Sequence, residues 1–324
     1  MSPSKTLQKT QQDRKSMICL GLDLDPRKIP NSHNSSIKGI YDFAIRVIEA
    51  TSDIVCAYKP NLAFYESMGA EGISLLKLIT QRIPETNLVI VDGKRGDIGN
   101  TAQHYASFMF EELRSDWVTL NPYMGYDSMR PFLEYKDKGV FILCLTSNSG
   151  SKDFQMLDVG GKPLYGVVAE KVAYWNKEDN CGLVVGATHP EQLEQIRSHA
   201  GDMPLLIPGV GAQGGALEQA ICLGTADFRK PAVINVSRSV LYASSGEDFA
   251  QRARAEIEKL NSVVTQLMHG GSFDPQEPKL SDPSPRPTGT EPAAPEPPRP
   301  NNRPDQNQQP YRLPDPDDRP NNNH

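Results

Sequence analysis

Between Met17 and about Met268, short runs of consecutive apolar, largely β-branched residues alternate with longer stretches whose apolar positions recur every three or four residues. The first kind predicts buried strands and the second amphipathic helices. The predicted strands are Met17–Asp23, Ile54–Lys59, Leu88–Asp92, Trp117–Leu120, Val140–Leu145, Gly182–Val185, Leu205–Ile207 and Val233–Val236. The helices that follow them in turn are Ile37–Thr51, Phe64–Arg82, Ile98–Leu113, Ser128–Tyr135, Leu164–Lys177, Pro190–His199, Gly215–Leu223 and Glu247–Met268. Strands with near-continuous apolar runs belong in a parallel sheet covered by helices. Eight such βα units in about 250 residues fit a closed (β/α)8 TIM barrel better than an open doubly wound sheet.

Composition changes this picture only at the C-terminus. Of the 27 prolines, 15 fall in the last 53 residues, a stretch poor in apolar side chains. Such a segment cannot offset a backbone ordering cost of roughly 1–2 kcal/mol per residue. The expected organisation is therefore an N-terminal extension over 1–16, a barrel over 17–271 and a disordered Pro-rich tail over 272–324. Pro295-Glu296-Pro297-Pro298 has the form of an SH3 or WW ligand, but the tail reads as a solvated appendage with no assigned partner or activity.

The net charge of −6 divides evenly, −3 on the tail and −3 on the body, which does not suit a nucleic-acid binder. No signal-peptide core and no run near the ~18 apolar residues of a membrane span is present, so a soluble cytoplasmic protein is expected. The five cysteines (Cys19, Cys56, Cys144, Cys181 and Cys222) have no metal-ligand spacing, and four lie in apolar runs. Buried free thiols are expected.

In a TIM barrel the chemistry sits where strands end and βα loops begin. Polar residues gather there: Asp23, Lys59, Asp92 with Lys94 and Asp97 beyond it, Ser147, the Gly209–Gly215 loop, and Ser237-Arg238-Ser239. The densest segment is Asp92-Gly93-Lys94-Arg95-Gly96-Asp97. An extended backbone would direct Asp92 and Lys94 to one side, and Lys59 from the neighbouring strand would add a second ammonium. Burial lowers a lysine pKa, but a carboxylate at ~4 Å opposes that by ~4 kcal/mol at an effective dielectric of ~20. With two carboxylates near it, Lys94 is expected to stay charged, suited to giving a proton to a basic carbon rather than to forming a Schiff base.

Gly209, Gly211 and Gly214 form a G-x-G-x-x-G, but no acidic residue about 20 positions on would meet a ribose diol. Loops after the last two barrel strands commonly hold phosphate, so glycine amides near Gln213 and the Arg238 guanidinium predict a phosphorylated substrate without a dinucleotide. His104 and His189 read as helix-terminal and surface residues. Asp23 and Asp25 form a D-x-D, but Pro26 follows directly and only Asp23 should stay at the mouth, so no metal is assigned.

Taken together, CLGLDLDP at 19–26, AYKPNLAFYE at 57–66, VDGKRGDIGNTA at 91–102, LTSNSGS at 145–151, IPGVGAQGG at 207–215 and NVSRS at 235–239 resemble the orotidine 5′-phosphate decarboxylases, in their longer bacterial form. The resemblance covers roughly residues 17–268; Gly93 replaces an alanine frequent in that stretch, and the tail lies outside the pattern. It implies conversion of orotidine 5′-monophosphate to uridine 5′-monophosphate, the last step of de novo pyrimidine synthesis, by a homodimer without metal or cofactor. It further implies Lys94 as proton donor to C6, flanked by Asp92 and Asp97, with Lys59 completing the array and Asp23 on the ribose. By the same resemblance Asp97 and Thr101 enter the neighbouring subunit's site, Ser147 meets the pyrimidine edge, and Gln213 and Arg238 grip the phosphate. Two rivals are a related barrel enzyme with D-x-K-x-x-D and Mg²⁺, such as a hexulose-phosphate synthase or ketogulonate-phosphate decarboxylase, and a catalytically silent scaffold acting through the tail.

Overall fold

The computed structural model describes residues 1–30, 36–186, 190–209 and 214–269. Gln213, His189 and the tail at 272–324 lie outside them. Eight parallel strands close into a barrel in sequence order: β1 (Ile18–Gly21), β2 (Ala57–Lys59), β3 (Leu88–Arg95), β4 (Trp117–Leu120), β5 (Gly139–Leu145), β6 (Cys181–Val185), β7 (Leu205–Pro208) and β8 (Ala232–Val236). β8 pairs with β1 through Ile18 opposite Ile234, so the sheet has no edge. The TIM-barrel expectation holds.

The helices are α1 (Pro3–Arg14), α2 (Ile37–Thr51), α3 (Leu62–Glu66), α4 (Gly69–Arg82), α5 (Gly99–Ser107), α6 (Tyr126–Leu133), α7 (Ser151–Phe154), α8 (Leu164–Trp175), α9 (Pro190–Ala200), α10 (Gly214–Thr225), α11 (Arg238–Leu241) and α12 (Phe249–Met268). Helix α2 shows why they form. The Ser36 side chain caps it by accepting from the Gly39 N–H at 3.2 Å, and Ile40, Phe43, Ala44, Val47 and Ile48 make one buried stripe. Among the described residues no helix is long and apolar enough to cross a membrane.

The single helix expected over Phe64–Arg82 is two, because the chain turns at Gly69, which takes φ +68°. The N-terminal segment folds as α1. Its Leu7 is fully buried with Cys19, Ala57, Ile90, Trp117, Phe141 and their neighbours, closing the lower end of the barrel. Gln11 Nε2 donates to the Ala232 carbonyl at 2.6 Å, and the Ser2 hydroxyl donates to Asp179 at 2.5 Å, pinning the helix there.

Strand side chains alternate between faces, so the positions two beyond this apolar layer share its interior face. Above Ala57, Ile90, Trp117 and Val233 stand Lys59, Asp92, Thr119 and Asn235, all buried. The barrel is thus apolar below and polar above. The lower layer includes Trp117 stacked on Phe141 with ring centroids 4.4 Å apart. A side chain at Gly139 would strike the Trp117 ring at 2.2 Å, which is why the facing strand opens on glycine.

Candidate active site

Lys59 ends the three-residue strand β2 and is almost wholly buried, with its Nζ 2.9 Å from Asp92 Oδ2. Lys94 Nζ lies 2.7 Å from the other oxygen, Asp92 Oδ1. The same Oδ1 accepts from the Thr119 hydroxyl at 2.8 Å. One carboxylate therefore bridges two ammonium groups and a hydroxyl at the top of the barrel. Burial works against ionising the Asp92 carboxyl, but the two lysines outweigh it and hold the group well below the usual carboxylate range. For Lys59, burial acts to lower the pKa, and Asp92 and then Asp23 overcome it, leaving it raised.

The backbone that presents Lys94 is not the extended one expected. β3 runs on to Arg95 through a register irregularity, and Lys94 itself takes φ +43°, in the left-handed region. A non-glycine residue there is strained by roughly 1–2 kcal/mol and persists only where its neighbours hold it. The Lys94 N–H donates to Thr119 Oγ1 at 3.0 Å, so one hydroxyl fixes both the main chain of Lys94 and the carboxylate beside its ammonium. Gly93 precedes it where a Cβ would come 2.6 Å from Leu62 Cδ1, and Leu62 is buried under this turn. The alanine common in the resembling sequences would press on that leucine.

Asp97 does not join the cluster within one chain. It is half-buried, and among the described residues its Oδ1 accepts from the next N–H, that of Ile98, and no hydrogen bond or ion pair links it or Thr101 to Lys94. Among the described residues Lys94 therefore has one carboxylate partner, not two. Thr101 lies on the exposed face of α5, lining a groove with Glu66, Arg95, His104 and Tyr105. In that groove Arg95 pairs with Glu66 and lies 5.2 Å from the Tyr105 ring centroid.

The remaining positions follow the rim. Asp23, just past β1, accepts from the Ser237 hydroxyl at 2.5 Å. Asp25 does not join it: Arg27 takes both Asp25 oxygens at 2.9 Å, so the D-x-D is not a pair of free carboxylates. Ser147 is exposed beyond β5 and lies against the ends of β6 and β7. A Cβ on Gly186 would stand 2.9 Å from its nitrogen, and one on Gly209 would stand 4.0 Å from its Oγ. Arg238 opens α11 after β8, exposed and without an ion pair among the described residues. Gly209, just past β7, takes φ +85°, and Gln213 is not among the described residues. Four of the five cysteines are buried and all are free, as expected. Thr119 and Ser237, which had no predicted role, bond to the side chains of Asp92 and Asp23.

Residues 16–253 match the sequence model of the orotidine 5′-phosphate decarboxylase / HUMPS family. A protein of Dehalococcoides mccartyi called orotidine 5′-phosphate decarboxylase is 48% identical over 267 residues, 80% of this chain and 97% of that one. A protein of the same description from Herpetosiphon aurantiacus is 52% identical over 243 residues, 74% of this chain and 89% of the relative. Among solved structures, the OMP decarboxylase of Leishmania donovani superimposes with a TM-score of 0.70 at 38% identity, covering 81% of this chain and 98% of that one.

Proposed function

The chain belongs to the orotidine 5′-phosphate decarboxylase / HUMPS family, and from that premise we propose that it is the carboxy-lyase that converts orotidine 5′-monophosphate to uridine 5′-monophosphate, closing de novo pyrimidine synthesis. The observation that carries this reading is the Lys59–Asp92–Lys94 array at the strand ends of the barrel, with contacts of 2.9 and 2.7 Å, in which Lys59 and Asp92 are buried and Lys94 is open at the mouth. Within a family that also includes sugar-phosphate enzymes, relatives at 48% and 52% identity sharing the one description favour the pyrimidine substrate.

In this reading the bond between C6 and the carboxylate breaks, and its electron pair stays on C6. The ring offers that pair no ordinary electron sink, so a fixed positive charge beside C6 stabilises it. The Lys94 ammonium supplies the charge and then the proton, and water returns a proton to the amine. Asp92 and Thr119 hold Lys94 in place, while Lys59 and Asp23 face the ribose. Ser147 meets the pyrimidine edge, and Arg238 with Gln213 takes the phosphate. Binding energy from that distant phosphate supports orientation of the ring, so a substrate lacking phosphate loses turnover as well as affinity.

The enzyme in this reading is a cytoplasmic homodimer that needs no metal or cofactor. Asp97 and Thr101 of each copy complete the site of the other, which accords with the exposure of Thr101 and with Asp97 having no ion pair among the described residues. The test is loss of pyrimidine absorbance when the purified protein meets orotidine monophosphate in EDTA. Wild type turns over in chelator, and Lys94→Ala binds uridine monophosphate but shows almost no turnover; substantial turnover by that variant, or activity that EDTA removes, counts against the reading.

A further inference from the structure

The seam between β8 and β1 contains a device that no part of the proposed reaction has yet used. Leu20 pairs with Val236, so the next positions, Gly21 and Ser237, meet across the seam. A Cβ on Gly21 would stand 2.8 Å from Ser237 Cβ and 2.9 Å from its Oγ. The missing side chain admits the Ser237 hydroxyl, which reaches Asp23 Oδ2 at 2.5 Å. The Gly21 carbonyl lies farther off, at 3.3 Å, so the single hydroxyl proton goes to the shorter, charge-assisted partner. Asp23 Oδ1 is shielded and has no donor among the described residues. Buried acceptors without a donor are rare, and a carboxylate has lone pairs to spare for a ligand.

The main chain of Asp23 is tied to the same segment. The Tyr242 hydroxyl donates to the Asp23 carbonyl at 2.8 Å and accepts the Asp25 N–H at 2.7 Å. Residues 237–242 thus hold Asp23 by side chain and backbone while also presenting Arg238 at the rim.

We propose that Ser237 is a positioning residue: it fixes one oxygen of Asp23 so that the carboxylate takes a ribose hydroxyl, and it joins that group to the Arg238 phosphate end through a single peptide bond. This rests on the decarboxylase reading. The test measures binding of uridine monophosphate and its 2′- and 3′-deoxy forms, and turnover of orotidine monophosphate, for wild type, Ser237→Ala, Asp23→Asn and the double variant. Ser237→Ala weakens uridine monophosphate about tenfold. It binds the deoxy form lacking the hydroxyl that Asp23 takes as well as wild type does, and the double variant is no worse than Asp23→Asn. Gly21→Ala, which displaces the hydroxyl without removing it, gives the same pattern by an independent route. Equal weakening of all three nucleotides, no weakening, or full additivity of Ser237→Ala with Asp23→Asn overturns the proposal. A wild type that turns over no orotidine monophosphate instead overturns the functional reading beneath it.

Discussion

Thr119 stands in an apolar strand, Trp-Val-Thr-Leu, where a β-branched residue looks like packing, yet its hydroxyl is used twice. Threonine to valine keeps the shape and removes both bonds, leaving the Lys94 N–H and one Asp92 contact unmet. Thr119→Val is expected to lower kcat on the order of tenfold to a hundredfold with little loss of uridine monophosphate affinity, read by steady-state kinetics beside nucleotide binding. Asp92 carries the acid sensitivity of the cluster. Its folded pKa is depressed below the unfolded ~3.9, so its contribution is present above about pH 4 and is lost as pH falls below that value. Lys59, raised when folded, contributes below its unfolded ~10.4 and loses that only as pH rises through the raised value. Asp92→Asn leaves two ammonium groups without their carboxylate and should cost about 3–5 kcal/mol at pH 7. Denaturant unfolding at pH 7 and pH 3 should show the gap between wild type and variant narrowing on the acid side. At this scale the charged residues were legible, because charge at the end of an apolar strand is conspicuous. Thr119 was not, because its role depends on a left-handed Lys94 that no local pattern announces.

Among the elements, the strands were the most legible part, since β4 begins and ends where the apolar run does and the others differ by a few residues. The break between α3 and α4 was hidden because apolar spacing continues through Gly69. Helix α1 was hidden for the opposite reason. Its sequence, PSKTLQKTQQDR, carries one large apolar residue, too few for any periodicity, and the helix owes its place to the open end of the barrel that Leu7 fills. Leu7→Ala is expected to cost about 2–5 kcal/mol in denaturant unfolding while leaving kcat within about twofold, because the cavity opens a full layer below Lys59. A large fall in kcat with unchanged stability would contradict that division between floor and mouth.

For the whole molecule, the unanswered demand is at the rim beside Asp97. Ile98 is 51% exposed, Tyr123 83% and Met124 46%, apolar surface next to a carboxylate that has no cation partner among the described residues. If two copies share their sites, Lys94→Ala and Asp97→Ala are each inactive alone, but subunits exchanged between them form mixed dimers with one intact site. Such a mixture should recover about a quarter of wild-type activity, whereas independent sites recover none. The expectation of shared sites came only through resemblance, because a contact between two copies would leave no periodicity in one. The sealed floor reaches further than stability. With Leu7 and the ring of aromatic and aliphatic side chains blocking the lower end, the reaction vessel is blind on that side. Carbon dioxide and the nucleotide left behind must depart by the opening that admitted their parent, so the sequence of their exit is decided by how the nucleotide sits in that doorway, with no back passage to relieve it.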